Sequence, residues 1–345
     1  MVRQAKLAAI LATMALVFGG GLYWRLKVYL RTPRGGDTTT TVQVTRGTTL
    51  KPLLDDLQAR AVLDKPRWLY YWARWNDLTE IKTGEYEAKA SQTPLDILAM
   101  FREGRVKLES FTIAEGLNRW QVRDVLVEQR WMSRETFEKL CDDQKFLADH
   151  GIPGPSCDGY LYPETYTFAR GVDPTKIFAE LFKTFLRVLD ELTKDGRGPL
   201  DLSTRELATL ASIVEKETGA PEERPHIACL FYNRLEVKKP KWRLDTDPTV
   251  IYAATMRDPN FNGKLTLWHL HEMEHPYNTY KIYGLPPGPI CSPGRAALEA
   301  VIKPVTCDEF FFVSMNNGRH EFCRTLDCHN RAVERWQRRH ETPSR

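Results

Sequence analysis

The sequence predicts an α+β protein in three parts: an N-terminal transmembrane helix, a small α/β module, and a larger mixed α+β domain. Three observations predict it. The run Leu7–Trp24 holds 18 residues without a charge. Residues 42–108 alternate short strand-like runs with apolar positions at helical spacing. Residues 109–335 carry longer helical patterns separated by Pro- and Gly-containing loops. At 345 residues the chain has room for about two domains, each able to bury its own core. An apolar content of 42% with 27% charge excludes wholesale disorder.

As a helix at about 1.5 Å per residue, Leu7–Trp24 spans about 27 Å, close to a hydrocarbon core of about 30 Å. Tyr23 and Trp24 close the run, where aromatic rings favour the membrane interface. A cleaved signal peptide would need a small-residue site after the run. The chain continues Trp24-Arg25-Leu26-Lys27 instead, so residues 1–24 are expected to form a short tip and an uncleaved anchor. Two basic residues and the amino terminus precede the run and four basic residues follow it, so charge leaves the orientation open. Residues 25–41, rich in Gly, Thr and Arg, read as a linker. The net charge of +4 comes from this region. Residues 1–36 hold six basic residues and no acid, leaving 43 basic against 45 acidic residues in the rest. The bulk of the chain therefore lacks the positive field a nucleic-acid partner requires.

Within 42–108, Val42–Val44 reads as a strand. Leu50, Leu53, Leu54 and Leu57 mark one helix, and Trp68, Leu69, Trp72 and Trp75 a second. Gly84-Glu85-Tyr86 turns into another strand. Thr93-Pro94 starts a helix that Gly104 ends. The next domain opens with a strand at Glu109–Ile113, followed by helices near 118–129 and 133–148. After a loop with Pro153, Pro155 and Pro163 comes a helix near 174–194. Residues 336–345 read as a polar tail. The seven cysteines form no C-x-x-C pair, which argues against a zinc ribbon. Cys307, Cys323 and Cys328 are the foremost disulfide candidates if the body is exported, and the odd count leaves at least one thiol unpaired.

The most informative helix begins at Ser203-Thr204-Arg205-Glu206, a capping box. It reads LATLASIVEKETG and is expected to stop at Gly219. Leu207, Leu210, Ala211, Ile213 and Val214 form its apolar face. Glu217 falls about 40° from the centre of that face and Glu215 about 120° away. An acid on the core side of a last helical turn is disfavoured as an anion by both burial and the helix dipole. Such a carboxyl keeps its proton near neutral pH, as a general acid must. The bland alternative is a frayed end where Glu217 reaches water or pairs with an Arg.

Here the sequence resembles the endolytic murein transglycosylases, the YceG-like (MltG) family. The resemblance lies in Ala211-Ser212-Ile213-Val214-Glu215-Lys216-Glu217-Thr218, Phe231-Tyr232-Asn233-Arg234-Leu235 and Leu244-Asp245-Thr246-Asp247-Pro248-Thr249-Val250-Ile251-Tyr252. It continues through Tyr277-Asn278-Thr279-Tyr280, Gly284-Leu285-Pro286-Pro287-Gly288-Pro289-Ile290 and Ser292-Pro293-Gly294. Upstream, Glu115-Gly116 and Gly159-Tyr160-Leu161-Tyr162-Pro163-Glu164-Thr165-Tyr166 fit, as do His320, Phe322, Thr325 and His329-Asn330 near the end. Asp245 and Ser292 stand where the family more often has amides.

The resemblance implies internal cleavage of peptidoglycan glycan strands between N-acetylmuramic acid and N-acetylglucosamine, leaving a 1,6-anhydro end. No water is consumed and no cofactor or metal is needed. One carboxyl suffices, because the sugar's own C6 hydroxyl is the nucleophile; glycoside hydrolases usually need two. The catalytic Glu maps to Glu217, with Glu215 as runner-up. Asn278, Tyr280, Asp247, Glu164, Asn233 and Thr218 are the expected substrate-binding set. Asp247 is equally placed to cap the next helix, and Asn278 and Tyr280 would share a face if extended. Pro286–Pro289 is expected to wall the groove. Residues 42–108 resemble the family's LysM-like domain. The implied location is the inner membrane, N-terminus in the cytoplasm and body in the periplasm, with peptidoglycan synthases as partners. The alternative function is a non-catalytic peptidoglycan-binding membrane protein. His271-Glu272-Met273-Glu274-His275 is a literal H-E-x-x-H, but Pro276 follows it directly and disfavours the helix a zinc protease needs.

Overall fold

The computed structural model describes residues 2–338, leaving aside the side chains of 2–5, 7–9, 12, 15 and 338. The expected tail from 339 onward lies outside the described residues. The chain forms two compact units. One holds the residues up to Glu109 together with Thr167–Gly171, and the other holds Ser110–Tyr166 and the chain from Val172.

The first unit begins with α1 (Val2–Arg31), followed by β1 (Thr39–Val44), α2 (Leu50–Ala59), α3 (Pro66–Trp75), β2 (Gly84–Lys89) and α4 (Pro94–Glu103). β1 and β2 pair antiparallel with Val42 opposite Tyr86, so Val42, Val44, Tyr86 and Ala88 point into one core. The leucines of α2 and Leu69, Ile97 and Phe101 fill it. Thr93 caps α4 with a reciprocal bond to Asp96, and Gly104 ends it at φ +78°, as the sequence predicts. The expected linker at 25–41 is corrected. α1 runs on to Arg31 because Leu26, Tyr29 and Leu30 pack against this core, and Pro33 stops it. Only Thr32–Thr38 connects α1 to β1. Among the described residues, no helix is long and apolar enough to cross a membrane. The expected span Leu7–Trp24 includes side chains outside the described ones.

β3 (Leu108–Thr112) pairs with β4 (Thr165–Ala169), and the division between units falls within both strands. Between them lie α5 (Arg119–Glu128), α6 (Arg134–Asp142) and α7 (Gln144–Asp149). The single helix expected near 133–148 is two, because Asp143 turns extended and caps α7. α8 (Pro174–Leu192) buries Ile177, Phe178, Leu181, Phe182 and Phe185 along one stripe. α9 (Thr204–Glu217) then packs with α10 (Arg224–Glu236), and α13 (Arg295–Ile302) packs on both. α11 (Asp247–Arg257) and the five-residue α12 (Leu267–His271) fill the interval. β5 (Phe311–Ser314) and β6 (His320–Cys323) pair antiparallel, and α14 (Leu326–Val333) packs against them. Trp336, placed in the polar tail by sequence, instead donates its ring N–H to Glu321 at 2.5 Å.

The disulfides are Cys141–Cys157, Cys229–Cys307 and Cys323–Cys328, with Cys291 free and buried. The three expected candidates are all bonded. Cys307, however, reaches back to α10, which sequence spacing did not reveal.

Candidate active site

α9 starts as its sequence dictates. Ser203 accepts from the Glu206 N–H, and the Glu206 carboxylate accepts from the Ser203 N–H at 2.9 Å. Its middle is buried continuously from Leu207 to Val214. It ends at Glu217 rather than at Gly219. Thr218 swings to extended backbone and its hydroxyl accepts from the Ala220 N–H at 2.9 Å, which turns the chain. Thr218 also donates to the Glu223 carboxylate at 3.3 Å. Thr218 is 5% exposed, so this expected substrate ligand shapes the turn behind Glu217 instead.

The two acids of the last turn have opposite fates. Glu215 is paired with Arg224 at 2.6 Å, with side-chain exposures of 5% and 10%. It also accepts from the Gly294 N–H at 3.0 Å, so it ties the start of α13 to α9. A Cβ at Gly294 would lie 1.9 Å from a carboxylate oxygen of Glu115, so that exposed side chain would have to swing aside. Glu215 is therefore occupied with structure. Glu217 is not. Its Oε1 is shielded from solvent and has no hydrogen-bond partner. Burial acts first and the Asp247 charge second to raise its pKa; Arg234 opposes them, and the carboxyl is pushed up to about 8. A carboxyl in this state is protonated at neutral pH.

Asp247 is exposed in the first turn of α11, and its carboxylate accepts from the Tyr280 hydroxyl at 2.7 Å. The N-cap position belongs to Thr246, whose N–H donates to the Thr279 hydroxyl at 3.0 Å. Burial and the neighbouring Asp247 keep the Tyr280 hydroxyl protonated. Arg234, buried on α10, donates to the Phe310 carbonyl at 2.9 Å and to the Leu244 carbonyl. Its charge acts on both Glu217 and Asp245. Thus the structure brings together Glu217, Asp247, Tyr280 and Arg234.

Three other expected ligands are placed differently. Asn278 is 0% exposed, and its amide donates to the carbonyls of His269, Leu270 and Met273. Residues 276–280 turn rather than extend, so Asn278 faces inward and holds the loop that carries Tyr280. The Asn233 amide is spent on the carbonyls of Glu309 and Cys307, at 3.0 and 3.3 Å. Glu164 is exposed beside β4, where its carbonyl accepts from the Ile113 N–H, and its charge acts on Tyr162 and Tyr166 rather than on Glu217. Pro286 and Pro287 wall a cavity with Ser203 and Glu206, at the opposite end of α9 from Glu217.

Sequence reasoning missed a second polar pair. Glu223 accepts from the His320 backbone N–H at 3.0 Å and meets its ring Nδ1 at 2.8 Å, both side chains being largely buried. Through Thr218 this pair braces the turn after Glu217. His320 stands out in the sequence only as part of the family pattern, and nothing near Glu223 marks its partner. The H-E-x-x-H segment is not helical: α12 ends at His271, so its two histidines do not share a helix face. His226, Cys307 and Glu309 cluster, as do Glu321, Cys323 and Cys328. In both groups the sulfurs are in disulfides and offer no thiolate.

The chain is 26% identical over 339 residues to an endolytic murein transglycosylase of Bacillus subtilis, covering 93% of this chain and 91% of the relative. A Streptococcus pneumoniae protein of the same name is 24% identical over 360 residues and covers 96% of this chain, which spans 65% of that longer relative. The crystal structure of a yceG-like protein from Listeria monocytogenes superposes with a TM-score of 0.55 at 31% identity, covering 86% of this chain and all of the other. Residues 42–335 match the model of the YceG-like family, and the chain belongs to that family.

Proposed function

We propose that the chain is an endolytic peptidoglycan lytic transglycosylase that cleaves the bond between N-acetylmuramic acid and N-acetylglucosamine within nascent glycan strands. The observation that carries this is Glu217: a shielded, protonated carboxyl without a structural partner, at the end of the helix that bears the family's motif. The two relatives named endolytic murein transglycosylase support the same activity.

In the first step Glu217 donates its proton to the glycosidic oxygen and the C1–O bond breaks. Positive charge grows at C1 of the muramyl ring as the leaving strand departs. The Asp247 carboxylate, held by the Tyr280 hydroxyl, is positioned to favour that charge. The C6 hydroxyl oxygen then bonds to C1, and its proton passes to the Glu217 carboxylate. The acid is regenerated, the sugar carries a 1,6-anhydro bridge, and no water enters.

The first unit is read as a LysM-like module that positions glycan, supported by its β1-α2-α3-β2 order. Leu7–Trp24 is read as a single-pass inner-membrane anchor. Since peptidoglycan lies outside that membrane, the N-terminus is cytoplasmic and the body periplasmic. Cutting nascent strands near the membrane would limit their length and suits work beside peptidoglycan synthases. A Glu217→Gln chain tests the core of this. It should retain glycan binding in a sedimentation assay while forming no anhydro-ended fragments. Undiminished cleavage would remove Glu217 from the mechanism.

A further inference from the structure

α3 carries Trp68, Tyr71, Trp72 and Trp75 at i, i+3, i+4 and i+7, one face of a helix. α1 lies beside that face, meeting it at Trp68 and otherwise separated from it by an open groove. The Tyr29 and Trp68 rings meet at 5.9 Å between centroids. Leu26 and Trp72 both pack on the same buried cluster. Leu22 and Tyr23 share an open groove with Tyr71 and Trp75. Going from Trp68 to Trp75 on α3 therefore matches going back from Tyr29 to Leu22 on α1. Both stretches rise about 10 Å at about 1.5 Å per residue. Trp75 thus lies level with the last turn of the uncharged run Leu7–Trp24.

At that level the surface is apolar on both helices. Trp75 is 91% exposed and Tyr71 64%, while Phe18, Leu22 and Trp24 of α1 are exposed as well. It is the contiguity of these exposed rings and aliphatic side chains, more than any one of them, that marks an interaction site. Within the two helices the charge beside this surface has one sign, although the exposed Asp64 and Asp77 lie just outside the ends of α3. Lys65–Trp75 contains Lys65, Arg67 and Arg74 without an acid, and α1 beyond the run adds Arg25, Lys27 and Arg31 without one. Tryptophan and tyrosine bordered by cations suit the boundary between acyl chains and anionic headgroups. Stacking on sugars would account for the rings, but not for their continuity with the exposed aliphatic side chains of α1.

We propose that the C-terminal end of α3 docks into the lipid–water interface of an anionic bilayer, seating Trp75 and Tyr71 beside α1 as it leaves the membrane. This rests on the anchor reading of Leu7–Trp24. The first unit is then held at two points, α1 and the tip of α3, which fixes its tilt over the membrane. The test uses the full chain in vesicles of phosphatidylethanolamine and phosphatidylglycerol. Trp75→Cys is labelled, without reductant, with an environment-sensitive fluorophore. Labelling is selective, because the native cysteines are disulfide-bonded or, for Cys291, buried. Phe18→Cys, in the run, and Asn260→Cys, on an exposed loop of the second unit, are the references.

The label at 75 should show blue-shifted emission and lose most of its intensity to lipid-borne nitroxide, as the label at 18 does, while the label at 260 stays water-like. A water-like label at 75 with a quenched label at 18 overturns the docking and leaves the anchor standing. Labels unquenched at both 18 and 75 overturn the anchor itself. A response at 75 only when glycan strands are added, or only as protein density rises, assigns the face to sugar or to a second copy and also overturns the docking. If replacing Trp75 disturbs α3, the same readout from Tyr71→Cys decides.

Discussion

Replacing Glu217 with Gln preserves the shape of the protonated side chain and removes its charged form. At low pH the wild-type carboxyl is neutral in both the folded and unfolded chains, so the two proteins should be equally stable. As pH rises, the unfolded carboxyl ionises at its ordinary value of 4.5, while the folded one holds its proton until about 8. The stabilisation present below the ordinary value is thus lost progressively as pH climbs to about 8. With each tenfold change in proton activity worth about 1.4 kcal/mol, the loss at pH 7 has an upper limit of about 3 kcal/mol. Residual solvent access at a half-buried residue brings the expected figure to about 1–2 kcal/mol. Glu217→Gln is spared this loss. Its melting temperature should exceed the wild type's by about 2–8 °C at pH 7 and match it near pH 4. Scanning calorimetry on both full chains across that range reads the difference directly. A difference that does not grow with pH, or a variant less stable at pH 7, would refute the account of Glu217 as a carboxyl held neutral by burial.

Other perturbations separate the roles of neighbouring groups. Asp247→Asn removes a charge that raises the Glu217 pKa, so the alkaline fall of kcat/KM, set by loss of the Glu217 proton near pH 8, should move to lower pH. An unmoved limb would place Asp247 outside the electrostatics of the acid. Arg224→Ala strands the buried Glu215 carboxylate and should cost about 3–5 kcal/mol of stability, measured by chemical denaturation. A loss under about 1 kcal/mol would mean the pair is solvated. Asn278→Ala leaves buried carbonyls unpaired and should cost about 1–3 kcal/mol, with KM changing less than kcat because the Tyr280 loop is displaced. A rise in KM alone, with stability intact, would restore Asn278 as a direct ligand.

What the sequence made legible is local. The Ser203–Glu206 capping box, the Thr93 cap and the core-facing angle of Glu217 depend on residues within one or two turns, and the structure realises each. What it hid depends on distant chain segments. Glu215 and Glu217 sit two apart on one helix. Only the arrival of Arg224 and the Gly294 N–H from α10 and α13 separates a structural acid from a free one. Asn278 and Asn233 have the side chains expected of sugar ligands, yet an amide binds a backbone carbonyl as readily as a hydroxyl. Which it meets is decided by how the 266–282 and 307–309 loops fold back. The extension of α1 to Arg31 was masked by composition, since Arg25–Arg31 looks polar while Leu26, Tyr29 and Leu30 lie on one packed face.

In the proposed reaction the sugar, and not water, supplies the nucleophile once Glu217 has donated its proton. Digesting uncrosslinked glycan strands in heavy-oxygen water and weighing the new ends tests it most directly. The expected fragments are one water lighter than hydrolysis products, carry no heavy oxygen, and are absent from digests with Glu217→Gln. Reducing ends that carry heavy oxygen would contradict it and make the enzyme a hydrolase.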